Sequence, residues 1–172
     1  MTTIPLPTMK RIQSHLALLG IAALLWDGPL SAQGIPAVTA PPDSFFGIVR
    51  ESDREVARGF YKKYIDVKGM PVVAAGVVDD LALQRTYEIV THMLAGRPDI
   101  IQRMVDTKMY LIVMGRDQVY TDMPEYRNHP NPAFQNERVR GTGGRPTSFG
   151  EENVLSLPLD RYDDESIGVH EF

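Results

Sequence analysis

The chain lacks cysteine altogether, and only four of its 172 residues are histidine. The missing cysteine excludes a disulfide-stabilised scaffold and a thiol nucleophile. No apolar run reaches the ~20 residues that a helix needs to cross a bilayer, so a protein of several membrane spans is excluded as well. With 18 basic against 22 acidic residues, the chain also lacks the basic excess of a dedicated nucleic-acid binder, and no nucleic-acid partner is expected.

Motifs for serine hydrolysis and phosphate binding are missing too. No serine lies in the G-x-S-x-G context of a nucleophile elbow. The glycine-rich segment Arg140–Arg145 lacks the G-x-x-x-x-G-K-[ST] pattern of a phosphate-binding loop, and we expect it to be a flexible loop. The adjacent carboxylates Glu151 and Glu152 do not predict a glycosidase, because neighbouring residues in a strand face opposite ways.

The first 32 residues are predicted to be a secretory signal peptide. A basic pair at positions 10–11 precedes an uncharged apolar run, Leu16–Trp26, and two small residues, Ser31 and Ala32, follow it. This order is typical of secretory signals, whereas a buried amphipathic helix would have a polar side that this run does not have. We therefore expect cleavage after Ala32, no membrane span afterwards, and a secreted or periplasmic location. Met9 is an alternative translation start.

Residues 33–50 are predicted to form an extended lead-in, because three prolines interrupt them. The domain proper is predicted over residues 51–172. It opens on a capping box, Ser52–Glu55, with serine at the N-cap and glutamate three residues later. Apolar residues spaced four apart then predict a helix that runs to about Tyr64.

Two short apolar runs, Val72–Val78 and Met109–Met114, predict buried strands. Between them, Asp79 or Asp80 is predicted to cap a helix, and a second, shorter helix is predicted to start at Pro98. Strands and helices in this order predict an α+β fold, in which helices pack on a small mixed sheet.

The chain after Gly115 has a less regular pattern. Repeated proline and glycine predict a long irregular segment over residues 121–150, and such long loops are usually functional or disordered. Apolar residues within 147–157 predict a further strand. The acidic residues 163–165 predict the first turn of a helix near the end of the sequence.

His170 and Glu171, at the start of that last helix, match the first half of the motif H-E-x-x-H. In this motif two histidines at i and i+4 bind zinc from one helical face, and the glutamate acts as general base. The second histidine would lie two positions after Phe172. The apolar Ile167 and Val169 would have little helix around them if the chain ended there, so we expect the sequence to be a fragment. The alternative is a solvated surface pair at a frayed terminus.

These residues give the chain a resemblance to zinc metallopeptidases of the zincin class. The run Gly168–Phe172 is similar to the start of the active-site helix in gluzincin-type peptidases. The run Gly150–Leu155 resembles the strand-forming segment that precedes such helices, and Tyr120–Glu125 resembles part of secreted proteins with a metallopeptidase domain. The resemblance covers about residues 70–172 and implies a zincin-like N-terminal part of a catalytic domain.

The resemblance also implies a site and a substrate. His170 would be the first zinc ligand, Glu171 the general base, and a peptide or protein the substrate, aligned by an edge strand within residues 147–157. The 172-residue chain alone is expected to be inactive, because catalytic zinc takes three protein ligands. The alternative function is a secreted, non-catalytic binding or structural α+β domain, which a stable fold without metal would favour.

Overall fold

The computed structural model describes residues 34–163 and 165–172, so the predicted signal peptide, residues 1–32, lies outside the described residues. Over these residues the strands are β1 (Tyr61–Val67), β2 (Met70–Ala75), β3 (Leu111–Met114), β4 (Gly141–Thr142) and β5 (Thr147–Gly150). The α-helices are α1 (Asp43–Ile48), α2 (Glu51–Phe60), α3 (Asp80–Met93), α4 (Pro98–Asp106), α5 (Pro132–Arg138), α6 (Glu151–Val154) and α7 (Ile167–Glu171).

The strands form one mixed sheet in the order β1-β2-β3-β5-β4, which confirms the predicted α+β fold. β1 and β2 form an antiparallel hairpin, whose turn places Lys68 and Gly69 at φ angles of 54° and 91°. β2, β3 and β5 run parallel to one another, and β4 runs antiparallel to β5. β4 is therefore an edge strand, with one side of its backbone unpaired within the described part of the chain.

Helices cover both faces of this sheet. Alternate residues of the central strands point to opposite sides, so that Val72 and Leu111 enter one apolar cluster while Val73 and Ile112 enter the other. The first cluster includes buried residues of α3, α4, α6 and α7, and the second includes those of α1 and α2. Burial on both faces explains why β2 and β3 are continuous apolar runs.

The first long helix differs from its prediction at both ends. α2 begins at Glu51 with Arg50 as N-cap, so the capping box headed by Ser52 is not used. The chain passes from Phe60 directly into β1, and Tyr64 belongs to the strand. Residues four positions apart lie on the same face of a helix, and they also lie on the same face of a strand. The spacing of the apolar residues alone therefore does not distinguish a helix from a strand.

α1 lies inside the segment 33–50, for which the prolines predict an extended chain. That prediction is wrong for residues 43–48. Phe45 and Phe46 of this helix are buried, and the Phe45 ring lies edge-on to the ring of Tyr61 at a centroid distance of 5.8 Å. Burying each phenylalanine contributes about 1.5–3 kcal/mol, which favours a helical turn that brings both rings to the sheet.

The middle of the chain follows its predictions more closely. Asp79 is the N-cap of α3, and its Oδ1 accepts a hydrogen bond of 2.9 Å from the backbone N–H of Leu81. α4 starts at Pro98, as predicted. The two apolar runs form β2 and β3, although β2 begins earlier, at Met70, and β3 later, at Leu111.

The region after Gly115 is more ordered than the sequence predicts. The segment 121–150 contains α5 and β4 and includes β5 at its end. The strand predicted over 147–157 stops at Gly150, and Glu151–Val154 form a helical turn, so the run Gly150–Leu155 is not strand-forming. Two glutamates in the first turn are favourable at a helix N-terminus, which is consistent with the change from strand to helix.

Candidate active site beside the edge strand

α7 carries the His-Glu pair at the end of the sheet where β4 lies. The helix packs against β4 and β5, and Ile167 is buried in the first apolar cluster. His170 is exposed, and its Nδ1 lies 2.7 Å from Oε1 of Glu165. Glu171 is half-buried. The predicted helix near the end of the sequence therefore exists, and it begins at Ile167, after the acidic residues.

Two glycines of the segment 140–145 allow α7 to lie close to the edge strand. A Cβ atom on Gly141 would be 2.3 Å from Cγ2 of Ile167, and one on Gly143 would be 3.1 Å from both the backbone oxygen and Oε2 of Glu171. Side chains at these positions would thus displace α7. The segment that the sequence predicts to be a flexible loop is instead the surface on which the helix carrying the candidate residues rests.

Replacing Gly141 by alanine should lower the free energy of unfolding by about 1–3 kcal/mol, the usual cost of overpacking a well-packed site. The reason is the 2.3 Å approach to Cγ2 of Ile167, a branched side chain that is buried in the first apolar cluster. Chemical denaturation would measure the change. Gly59→Ala is the matched control, because nothing lies within 4 Å of its Cβ position and alanine favours helix, so that variant should be as stable as the native chain or more so.

Asn153 fixes the start of α7. This buried side chain accepts a hydrogen bond of 2.7 Å from the backbone N–H of Ile167, and it donates bonds of 2.7 Å to the backbone oxygen of Glu165 and to Oδ2 of Asp160. The first backbone N–H groups of a helix have no partner within the helix, and Asn153 supplies one for α7. One buried amide therefore determines where the helix begins.

The two glutamates before Asn153 are buried as well, and each joins α6 to another part of the sheet. Glu151 accepts backbone N–H groups of Asp79 at 2.7 Å and Arg116 at 3.0 Å, which lie after β2 and β3. Glu152 pairs with Arg140, whose Nε and Nη2 are 2.5 and 2.6 Å from its two carboxylate oxygens. α6, which directly follows β5, thereby fixes the segments after β2 and β3 and, through Arg140, the residue before β4.

Sequence analysis did not find this group of side chains, which consists of Arg140, Glu151, Glu152 and Asn153. One signal was present, because three consecutive polar residues stand between Phe149-Gly150 and the apolar pair Val154-Leu155. Polar residues that are enclosed in this way are usually paired when buried. Their partners are distant in sequence and could not be identified from it.

A second buried polar cluster lies below the other face of the sheet, at Glu125, the last residue of the segment 120–125. Its carboxylate accepts hydrogen bonds from the hydroxyl groups of Tyr61, at 2.6 Å, and Tyr110, at 2.7 Å. Burial raises the pKa of Glu125, and the two tyrosine hydrogen bonds oppose that shift. Burial and the nearby carboxylate also raise the pKa values of both tyrosines, so their hydroxyls stay protonated and continue to donate.

The raised pKa of Glu125 predicts a pH dependence of stability. At a pH between the pKa of Glu125 in the unfolded chain and its higher pKa in the folded chain, the native state keeps a proton that the unfolded state has lost. The stabilisation from this proton is therefore fully present below the unfolded pKa and is lost as the pH rises through the folded pKa. In Glu125→Gln that decline should be missing, and its stability relative to the native chain should improve from about pH 4 towards pH 7. Each unit of pKa difference corresponds to about 1.4 kcal/mol.

Urea titrations at several pH values would measure this effect. Glu55→Gln removes an exposed carboxylate from α2 and should leave the pH profile unchanged. If Glu125→Gln also keeps the native profile, burial of this carboxyl does not control the acid branch of stability.

A catalytic zinc ion takes three protein ligands. Among the described residues, no group of three or more histidine, aspartate or glutamate side chains could hold a metal. His170 fits the role of a single ligand at most, because its side chain is exposed and its Nδ1 lies 2.7 Å from Oε1 of Glu165. Glu171 lies next to it in α7 and beside Gly143, directly after β4.

Comparisons with known proteins identify no relative. No family model, curated protein or solved structure matches the chain. Among the described residues, no helix combines the length and the apolar character that crossing a membrane requires.

Proposed function

We propose that the chain is the N-terminal part of the catalytic domain of a secreted zinc metallopeptidase, of the zincin class and gluzincin-like type. His170 and Glu171 would begin its H-E-x-x-H helix, with the second histidine two positions after Phe172. The observation that supports this proposal is the place of α7, which carries an exposed His170 and a half-buried Glu171 directly beside an edge strand.

The residues of this chain have separate roles in the proposed reaction. His170 would be the first zinc ligand, and zinc, when bound, supplies Lewis acidity towards the scissile carbonyl and acidifies the attacking water. Glu171 would accept the proton of that water and pass it to the leaving amine. The half-buried position of Glu171 against Gly143 limits its movement, so its carboxylate would stay at the end of β4.

The free edge of β4 would hold a peptide substrate. An edge strand offers unpaired N–H and C=O groups, to which an extended peptide can add as a further strand. The sequence predicts this edge within residues 147–157, but β5 lies between β3 and β4 and is an interior strand. Gly141–Thr142 takes that role instead, and it ends one residue before Gly143, which is next to Glu171.

Export is part of the same proposal. The sequence pattern of residues 1–32 supports a signal peptide and hence a secreted or periplasmic protein, with zinc as the cofactor and a peptide or protein as the substrate.

Reading the gene downstream of the Phe172 codon tests the proposal directly. The proposal requires a histidine two positions after Phe172, whatever the residue between them, and a further acidic or histidine ligand later in the reading frame. The product of the whole frame should then contain zinc and cleave peptides. A stop codon after Phe172, or a frame without that histidine, contradicts the proposal and leaves the non-catalytic domain as the better interpretation.

A further inference from the structure

The chain segments that follow β2 and β3 turn to opposite faces of the sheet. β2 leads into α3, whose buried apolar residues lie in the first apolar cluster, whereas β3 leads to Tyr120 and Met123, which lie in the second. The two strands are parallel neighbours, so their carboxyl ends lie side by side at one end of the sheet. Where neighbouring connections diverge in this way a crevice opens between them, and open α/β sheets bind ligands in such crevices.

A cavity of about 270 Å³ lies at this point of the sheet. It is lined by Val77 after β2, by the loop 115–118 after β3, and by Glu151 after β5. The carboxyl ends of all three parallel strands therefore contribute to one cavity. Its volume is slightly below the range of clefts for drug-sized ligands, about 300–1,000 Å³, so we expect a small occupant.

Buried groups fix the walls of this cavity. Glu151, which is 1% exposed, accepts the backbone N–H groups of Asp79 at 2.7 Å and Arg116 at 3.0 Å, so one carboxylate joins the two diverging segments. Arg140, which is also buried, donates to two backbone oxygens of the loop 115–118. A cavity that is held in this way has less order to gain on binding than a mobile loop, which favours affinity.

Two side chains of the loop bring hydrogen-bond donors to the cavity. The backbone N–H of Gly115 donates to Oε1 of Gln118 at 2.8 Å, which leaves the NH₂ group of this amide as a donor. The side chain of Arg116 is 45% exposed, and its Nη1 and Nη2 have no hydrogen-bond partner within the described part of the chain. Both side chains line the cavity, and the guanidinium fork matches the geometry of a carboxylate.

We propose that this cavity binds a small zwitterion, an α-amino acid with an apolar side chain. Arg116 and Gln118 hold its carboxylate, and Asp117 holds its ammonium group. The apolar side chain of the ligand lies against Val77, which is 74% exposed. Two carboxylates and one guanidinium line the cavity, so a ligand with a cationic group is favoured over a doubly charged anion such as phosphate. The inference does not depend on the proposed zinc function.

Titration of the chain with L-valine, followed by nitrogen-15 NMR of the backbone amides, tests the inference. The signals of Val77, Gly115 and Gln118 should shift and reach saturation. Isovalerate lacks the ammonium group of valine and isobutylamine lacks its carboxylate, so each should bind about 10–100-fold more weakly, the usual effect of losing hydrogen bonds to a charged group. Sodium phosphate should not displace L-valine.

Two substitutions in the loop identify the groups that bind. Arg116→Met removes the charge from an exposed side chain, and Gln118→Glu keeps an oxygen for the Gly115 N–H while it removes the amide donor. Each should lower the affinity for L-valine about 10–100-fold. Arg103→Met is the matched control, because Arg103 is exposed on α4, which leads to the amino end of β3, and this variant should bind like the native chain.

Three results would overturn the proposal. Shifts at these amides that stay linear with the L-valine concentration mean that the cavity has no specific affinity for it. Equal affinities for L-valine and isovalerate mean that the ammonium group is not recognised. An unchanged affinity in Arg116→Met, with the amide spectrum of a folded chain, means that the guanidinium does not hold the carboxylate. The zinc proposal is tested separately, because it depends on α7 and on the codons after Phe172.

Discussion

Glu152→Ala should lower the free energy of unfolding by about 3–5 kcal/mol, the usual cost of leaving one member of a buried ion pair without its partner. The side chains of Arg140 and Glu152 are only 7% and 4% exposed, and two hydrogen bonds of 2.5 and 2.6 Å join them. Alanine would leave a guanidinium buried at the approach to β4. Chemical denaturation followed by circular dichroism would measure the loss.

An exposed pair provides the control for this prediction. Arg97 and Asp99 also pair, at 2.9 Å, but more than half of each side chain is exposed, so Asp99→Ala should lose only the small contribution of an exposed carboxylate in the first turn of α4, far less than Glu152→Ala loses. The double variant Arg140→Met, Glu152→Met should be less destabilised than Glu152→Ala, because it buries no unpaired charge. A loss below about 1 kcal/mol in Glu152→Ala would mean that Arg140 reaches solvent once its partner is gone.

Periodicity and caps in the sequence predict the elements whose stabilising contacts are local. α3 follows from Asp79 and its apolar face, α4 from Pro98, and the two central strands from runs buried on both sides. The elements that the sequence does not predict depend on contacts between residues that are distant along the chain. α1 forms because Phe45 reaches the ring of Tyr61, sixteen positions later, and no local pattern shows that contact.

The candidate site divides in the same way. The His170-Glu171 pair can be found in the sequence because the motif is local, and the structure places it on a short helix whose first two residues are buried, beside an edge strand. The residues that hold this helix cannot be found in the sequence, because their partners are distant along the chain. Asn153 accepts a hydrogen bond from Ile167, fourteen positions away, and Glu151 accepts one from Asp79, 72 positions away. The glycines at 140–145 look like loop residues in sequence, and their role depends on a helix more than twenty positions later.

Glu171→Gln should lower kcat/KM for peptide hydrolysis by the product of the whole reading frame about 10²–10⁴-fold, the range expected for loss of a general base. Glutamine keeps the size of the side chain beside Gly143, where Oε2 now lies, but it cannot accept the proton of the attacking water. The zinc content should stay the same, because Glu171 is not a proposed ligand. Hydrolysis of a fluorogenic peptide mixture and metal analysis would measure the two quantities.

The pattern of the two readouts distinguishes a base from a structural residue. Glu55→Gln removes an exposed carboxylate from α2 and should leave both activity and zinc content at the native level. If Glu171→Gln loses zinc together with activity, Glu171 supports the metal site and does not act as the base. If it keeps full activity, another group takes the proton, and the motif that links α7 to peptide hydrolysis no longer applies.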